Sequence, residues 1–148
     1  MEYILGPYVK RDIKRLKKIS SLEKDLENHY KIFRGKITEK IASEYQVPLA
    51  QAFLYKVENN DGTKVFFFKD RCAITNPRMS PGEGLRIVFA LYVKDGIPLR
   101  YTPFIVFLAR EEGEKYHCPN NREYPLKTSS FRDILEAKLE YFEDEETA

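Results

Sequence analysis

Five side chains in this sequence could together cleave a phosphodiester bond. That reaction builds negative charge on the phosphate, and it needs a base for the attacking hydroxyl and an acid for the leaving oxygen. Arginine suits the phosphate through its planar fork, and a lysine or tyrosine beside fixed cations can have its pKa lowered enough to act as a base. RNA brings its own nucleophile, the 2′-hydroxyl, so no metal is required. The candidates are Lys69, Arg71, Arg86, Arg110 and Tyr116.

Two apolar strands must position these residues. Residues 85–93 are rich in β-branched and aromatic side chains, and residues 104–108 are equally apolar, which is typical of strands at the centre of a sheet. Asp95 and Gly96 lie between them, and this dipeptide favours a hairpin turn. If the two strands pair, Arg86 and Arg110 lie at the same end of the sheet. The alternative is that these are ordinary cations at strand ends.

The flanking segments predict an α+β domain over residues 1–148. Residues 9–19 form a short basic helix, and a second helix from Leu22 has an apolar stripe that continues to Ile37 and Ile41, with His29 expected at the surface. Residues 50–57 and 63–71 read as a second pair of strands, and residues 111–125 as a loop or a short irregular helix. A last helix begins near Thr128. The predicted fold is a helical hairpin on an antiparallel sheet of about four strands, with an additional C-terminal helix.

Composition excludes several classes of protein. No phosphate-binding loop, dinucleotide fingerprint, nucleophile elbow or zinc-protease motif occurs, and Cys72 and Cys118 have no zinc-like spacing, so we predict no metal and no cofactor. No segment has the pattern of a signal peptide or a membrane span, which makes the cytoplasm the expected location. The net charge of +2 hides a gradient, because residues 1–40 are basic and residues 131–148 are acidic. That gradient permits contact with nucleic acid.

The segment VKRDIKRLKKISSLEKDLENHYKIF (residues 9–33) resembles the helical hairpin that opens toxins of the bacterial RelE/ParE superfamily. The strand that begins with Gly84, Leu85 and Arg86, and the following hairpin that ends in Arg110, are also arranged as in that family. The resemblance covers about residues 8–116 and leaves residues 117–148 as a C-terminal extension. It implies a helical hairpin on a curved antiparallel sheet, a cognate antitoxin as partner and, for the RelE branch, metal-independent cleavage of mRNA on the ribosome.

The resemblance also implies roles for single residues. Arg86 corresponds to an arginine that stabilises the phosphate, and Arg110 and Tyr116 to an arginine and a tyrosine six residues apart, the tyrosine near the 2′-hydroxyl. Lys69 and Arg71 correspond to a basic pair that contacts phosphate and transfers a proton, although an arginine is a poor base. His117 is the alternative base. Further RNA contacts are expected from the cations of the first helix, Lys10, Arg11, Lys14, Lys17 and Lys18.

Two other functions remain open at this stage. A ParE-like protein would inhibit DNA gyrase by binding it and would do no chemistry. A RelE-fold module without toxin activity would use its additional C-terminal helix to bind another protein. The first expectation is an endoribonuclease that inhibits translation.

Overall fold

The computed structural model of the chain describes residues 1–36 and 53–147, with side chains up to Glu143. Within these residues the chain is α+β, as predicted. Its helices are α1 (Lys10–Arg15), α2 (Leu22–Lys36) and α3 (Thr128–Thr147), with short 3-10 helices at Pro7–Val9 and Ala109–Glu111. Its strands are β1 (Glu2–Tyr3), β2 (Phe53–Glu58), β3 (Lys64–Cys72), β4 (Leu85–Lys94), β5 (Ile97–Leu108), β6 (Lys115–His117) and β7 (Glu123–Pro125).

In the described part of the chain, the main sheet has five strands in the order β1-β5-β4-β3-β2. The four longer strands are antiparallel, with the central hairpin β4–β5 turning at Asp95 and Gly96, both at positive φ. The sheet is nevertheless mixed, because β1 runs parallel to β5 and pairs with Arg100 and Tyr101. This corrects the prediction of a purely antiparallel sheet of about four strands. Two residues are too short a strand to leave a sequence pattern.

Helices cover both faces of this sheet. On one face, Leu26, Tyr30 and Phe33 of α2 pack against aromatic side chains that include Phe68 and Phe89. On the other face, α3 packs Phe131, Ile134 and Leu135 against Phe67, Phe104 and Phe107 of the strands. Burying one such side chain contributes roughly 1.5–3 kcal/mol. The C-terminal helix is therefore part of the core and not an appendage to it.

Three details differ from the sequence-based prediction. β5 begins at Ile97, well before residue 104, and residues 115–125 form a small antiparallel hairpin, β6–β7, instead of a loop or helix. His29, expected at the surface, is only 5% exposed. The predicted apolar contacts of Ile37 and Ile41, and the first residues of the predicted strand 50–57, lie outside the described residues. None of the described helices combines the length and the apolar character that crossing a membrane requires.

Candidate functional site

Part of the predicted set of cations lies at the corner of the main sheet where β3 and β5 end and β4 begins. Arg86 lies opposite Arg71 on β3 and opposite Phe107 on β5. Residues directly opposed on antiparallel strands have Cβ atoms about 4.5–5.5 Å apart. Lys69 precedes Arg71 by two positions, so both project from the same face of the strand. Three of the predicted site residues therefore share one corner of the sheet.

These residues line a cleft with a volume of about 860 Å³ between the sheet and the start of α3. Its floor is apolar and includes Phe107 and Phe131. Positive charge dominates its polar lining, which favours an anionic ligand. Of the residues that the structure describes, the charged ones that line the cleft are five cations, Lys36, Lys69, Arg71, Arg86 and Lys127, and two carboxylates, Asp70 and Glu112.

Arg86 is fixed in place by its own surroundings. Its Nη1 and Nη2 atoms donate to the carbonyl oxygens of Pro81 and Gly82, each at 2.9 Å, and its Nε atom donates to Glu112 Oε1 at 2.8 Å. The loop that offers these carbonyls needs a glycine at position 84, because a Cβ atom there would overlap the Cys72 carbonyl oxygen. The Arg86 side chain is only 14% exposed, so the loop holds the guanidinium at one orientation.

Lys69 and Arg71 are more available to a ligand. The Lys69 ammonium donates to Thr128 Oγ1 at 2.9 Å, at the first residue of α3, where the helix dipole adds further positive potential. Arg71 is exposed, and among the described residues its guanidinium forms no ion pair. Arginine in this state can bind a phosphate through two parallel N–H groups.

Tyr116 does not reach the cleft, which corrects its assignment as a catalytic residue. It is 6% exposed, and its hydroxyl donates to Asp12 Oδ1 at 2.8 Å. Burial, reinforced by the negative charge of Asp12, raises the pKa of this hydroxyl far above its usual value. A buried phenol that already donates its proton to a carboxylate is no base for a substrate hydroxyl. The six-residue spacing from Arg110 gave the wrong location because β6 turns Tyr116 back into the core.

Arg110 and His117 also lie outside the cleft lining. Arg110 is exposed on the 3-10 helix just after β5, at the same end of the sheet as Arg86, as predicted. His117 is exposed on β6, where its Nδ1 atom lies 3.1 Å from Glu123 Oε1. The cleft lining therefore contains three of the six strand and hairpin candidates, Lys69, Arg71 and Arg86.

The cations predicted on the first helix form a surface of their own. All are exposed, and none has a hydrogen bond or ion pair from its side chain among the residues that the structure describes. A polyanion could therefore bind these cations at a surface separate from the cleft. This set is Lys10, Arg11, Lys14, Lys17 and Lys18, of which Lys17 and Lys18 follow the end of α1.

A buried charge cluster around Asp12 was not predicted from the sequence. Asp12 is 0% exposed, and it accepts hydrogen bonds from Arg15 Nη1 at 2.8 Å and from the Val106 N–H at 3.0 Å, in addition to Tyr116. The Nζ atom of Lys138, on α3, lies 3.5 Å from Asp12 Oδ2, and Lys138 is 2% exposed. Burial lowers the pKa of Lys138, and the neighbouring carboxylate opposes part of that effect. The cluster joins α1, β5, β6 and α3.

A second polar chain runs from the cleft into the core. The His29 Nε2 atom lies 2.9 Å from Asp70 Oδ2, and its Nδ1 atom lies 2.7 Å from the Tyr101 hydroxyl. A carboxylate can only accept, so Nε2 carries the proton and donates it to Asp70. Burial alone would raise the pKa of Asp70, but hydrogen bonds from His29 and from the Arg71 N–H lower it below the usual value.

On acidification, the Asp70→Asn variant should lose less stability than the wild type. The acid limb of its plot of unfolding free energy against pH should therefore be flatter. A lowered carboxyl pKa means that the stabilisation is complete above the unfolded-state value, about 3.9, and is lost as the pH falls through the folded-state value. The loss should be about 1 kcal/mol or less, since the Asp70 side chain is 39% exposed and water screens it. Urea unfolding between pH 2 and 6 measures the effect. Asp133→Asn, at an exposed position of α3, is the control, and an unchanged acid limb in Asp70→Asn would contradict the prediction.

Among the described residues, no group of three or more His, Cys, Asp or Glu side chains is arranged to bind a metal ion. Comparisons of the chain with protein-family models, with curated proteins and with solved structures gave no match.

Proposed function

We propose that this protein is a RelE-like toxin, a metal-independent endoribonuclease that cleaves mRNA on the ribosome and is neutralised by a cognate antitoxin. One observation carries the proposal: Lys69, Arg71 and Arg86 meet in a single cationic cleft. Arg71 and Lys69 are the accessible phosphate ligands of that cleft. The exposed cations of α1 provide a second polyanion-binding surface, suited to the RNA of a ribosome.

The cleft also matches the chemistry of RNA cleavage. A 2′-hydroxyl next to a phosphate bound by Lys69 and Arg71 is an internal nucleophile, which removes the need for a metal-activated water. The positive charges of Lys69 and Arg71 stabilise the charge that develops on the phosphate in the transition state. Lys69 can donate a proton to the leaving oxygen.

The experiment is induced expression in a bacterial host, with labelled amino acids and labelled thymidine followed separately. We expect protein synthesis to stop first and cleaved messages to accumulate. Arg71→Ala should reduce cleavage by about tenfold to a hundredfold, the usual loss for one charge-assisted phosphate contact. Arg78→Ala is the matched control, because Arg78 is exposed and does not line the cleft. Equal cleavage by the Arg71 variant would contradict the proposal.

A second function is a ParE-like inhibitor that binds DNA gyrase without chemistry. The observation that favours it is the position of Tyr116 and Arg110, since two of the four residues expected to be catalytic lie outside the cleft. In that case the cleft would bind an acidic surface of the partner protein. A primary block in thymidine incorporation, with intact messages, would support this function over the first.

A further inference from the structure

The cleft contains a carboxylate that the resemblance did not assign to the site, Glu112. We infer that Glu112 is the general base of the ribonuclease and that Arg86 is the residue that positions it. This inference depends on the proposed function and adds a catalytic residue to it.

Arg86 has little capacity left for a phosphate. A guanidinium has five N–H groups. The Arg86 side chain uses them on three backbone carbonyl oxygens, including a longer contact of 3.4 Å to Leu85, and on the Glu112 carboxylate. The carbonyls fix the guanidinium, and the guanidinium in turn fixes Glu112. Arg86 is therefore placed to position the Glu112 carboxylate.

Backbone hydrogen bonds hold the chain at Glu112 and Gly113, and the Glu112 carboxylate is still accessible to a ligand. Its backbone N–H donates to the Ala109 carbonyl at 3.1 Å, and the N–H of Gly113 donates to the Leu126 carbonyl at 2.8 Å. Oε1 is bound by Arg86, whereas Oε2 has no hydrogen bond from the described residues. The side chain is 54% exposed. Oε2 can therefore accept a hydrogen bond from a substrate hydroxyl.

The other candidate bases are already engaged. Asp70, the second carboxylate of the cleft, accepts from His29 at Oδ2 and from the Arg71 N–H at Oδ1. Tyr116 is buried and donates to Asp12. Of the two carboxylates that line the cleft within residues 1–36 and 53–143, only Glu112 has an oxygen without a hydrogen bond from the described residues.

The proposed step balances without a further reactant. Glu112 takes the proton of the 2′-hydroxyl, and the 2′-oxygen attacks the adjacent phosphorus held by Lys69 and Arg71. The bond from phosphorus to the 5′-oxygen breaks, and Lys69 gives that oxygen a proton. The products are a 2′,3′-cyclic phosphate and a 5′-hydroxyl. Proton exchange with water then restores the carboxylate and the ammonium.

The test compares Glu112→Gln with the wild type on mRNA-programmed ribosomes under single-turnover conditions. Loss of a general base should lower the cleavage rate by about a hundredfold or more. Binding of an oligoribonucleotide with a 2′-deoxy group at the cleavage position should stay within threefold or become tighter, because a negative charge leaves the cleft. The wild-type rate should fall on acidification, and the residual rate of the variant should lose this dependence.

Glu114→Gln is the control, since Glu114 is exposed two residues away and does not line the cleft. It should cleave at the wild-type rate. Wild-type cleavage together with wild-type or faster cleavage by Glu112→Gln would overturn this inference and leave the proposed function standing. Faster cleavage would instead identify Glu112 as an inhibitory carboxylate on Arg86. No cleavage by the wild type would overturn both.

Discussion

Replacing Asp12 by alanine is expected to lower the free energy of unfolding by about 3–5 kcal/mol. Asp12 is completely buried, and its loss leaves Lys138 without its counter-ion and the Tyr116 hydroxyl and the Val106 N–H without an acceptor. Each unpaired buried donor costs roughly 1–3 kcal/mol by itself. Such a loss is a large fraction of the 5–15 kcal/mol that stabilises a typical domain.

The deficit of the Asp12 variant should depend on pH. Burial already lowers the pKa of Lys138, and removing Asp12 removes the carboxylate that opposes this effect. Between the folded-state pKa of Lys138 in the variant and the unfolded-state lysine value of about 10.4, the unfolded variant binds more protons than the folded one. Its stability must therefore rise with pH, so the deficit is larger at pH 7 than at pH 10.

Urea unfolding at both pH values measures this prediction, with Asp133→Ala at an exposed site as the control. A double variant, Asp12→Ala with Lys138→Met, separates the lost ion pair from lost packing. If the stranded ammonium causes the damage, the methionine should recover part of the loss and remove the pH dependence. A loss below about 1 kcal/mol in the single variant would show that the cluster contributes little to stability.

On the proposed function, replacing Arg86 by alanine is expected to reduce RNA cleavage by about a hundredfold or more, the loss that follows when the general base it positions is released. The reason is geometric, since Arg86 holds both the loop carbonyls of Pro81 and Gly82 and the Glu112 carboxylate. Arg86→Lys keeps the charge but lacks the planar fork, so it should recover less than a tenth of the activity.

Single-turnover cleavage on programmed ribosomes measures these rates, and thermal unfolding shows whether each variant is folded. Arg110→Ala is the comparison, because Arg110 lies at the same end of the sheet but outside the cleft lining. It should lose less than tenfold. Equal losses in folded Arg86 and Arg110 variants would mean that the phosphate is bound across the end of the sheet and not in the cleft.

Local sequence patterns predicted the elements that carry the site. The apolar strands β4 and β5 and their Asp95-Gly96 turn have strong patterns, and the pairing of β4 with the preceding strand β3 places Arg86 opposite Arg71. Alternation along β3 then places Lys69 on the same face. The α+β class and the apolar face of α3 follow from the same kind of pattern.

Long-range pairing accounts for what the sequence did not reveal. Asp12 and Lys138 look like solvated charges of a basic helix and an acidic helix, and only the fold brings them together. His29 finds its partner Asp70 across 41 positions of sequence. The six-residue spacing of Tyr116 from Arg110 predicted a catalytic position, but the β6–β7 hairpin places the Tyr116 side chain in the core. Charge and spacing identify candidates, whereas tertiary contacts select among them.

The Asp12 cluster also determines where the sheet stops. Within the described residues, β1 pairs with β5 only at Arg100 and Tyr101, and an unpaired strand edge is a template on which another chain can add and aggregate. Beyond β1, side chains bind backbone groups of β5 in place of a neighbouring strand: Asp12 and Arg15 bind the N–H and the carbonyl of Val106, and Lys138 binds the Phe104 carbonyl. Three charged side chains thus replace a sixth strand and leave that border of the sheet closed to intermolecular pairing.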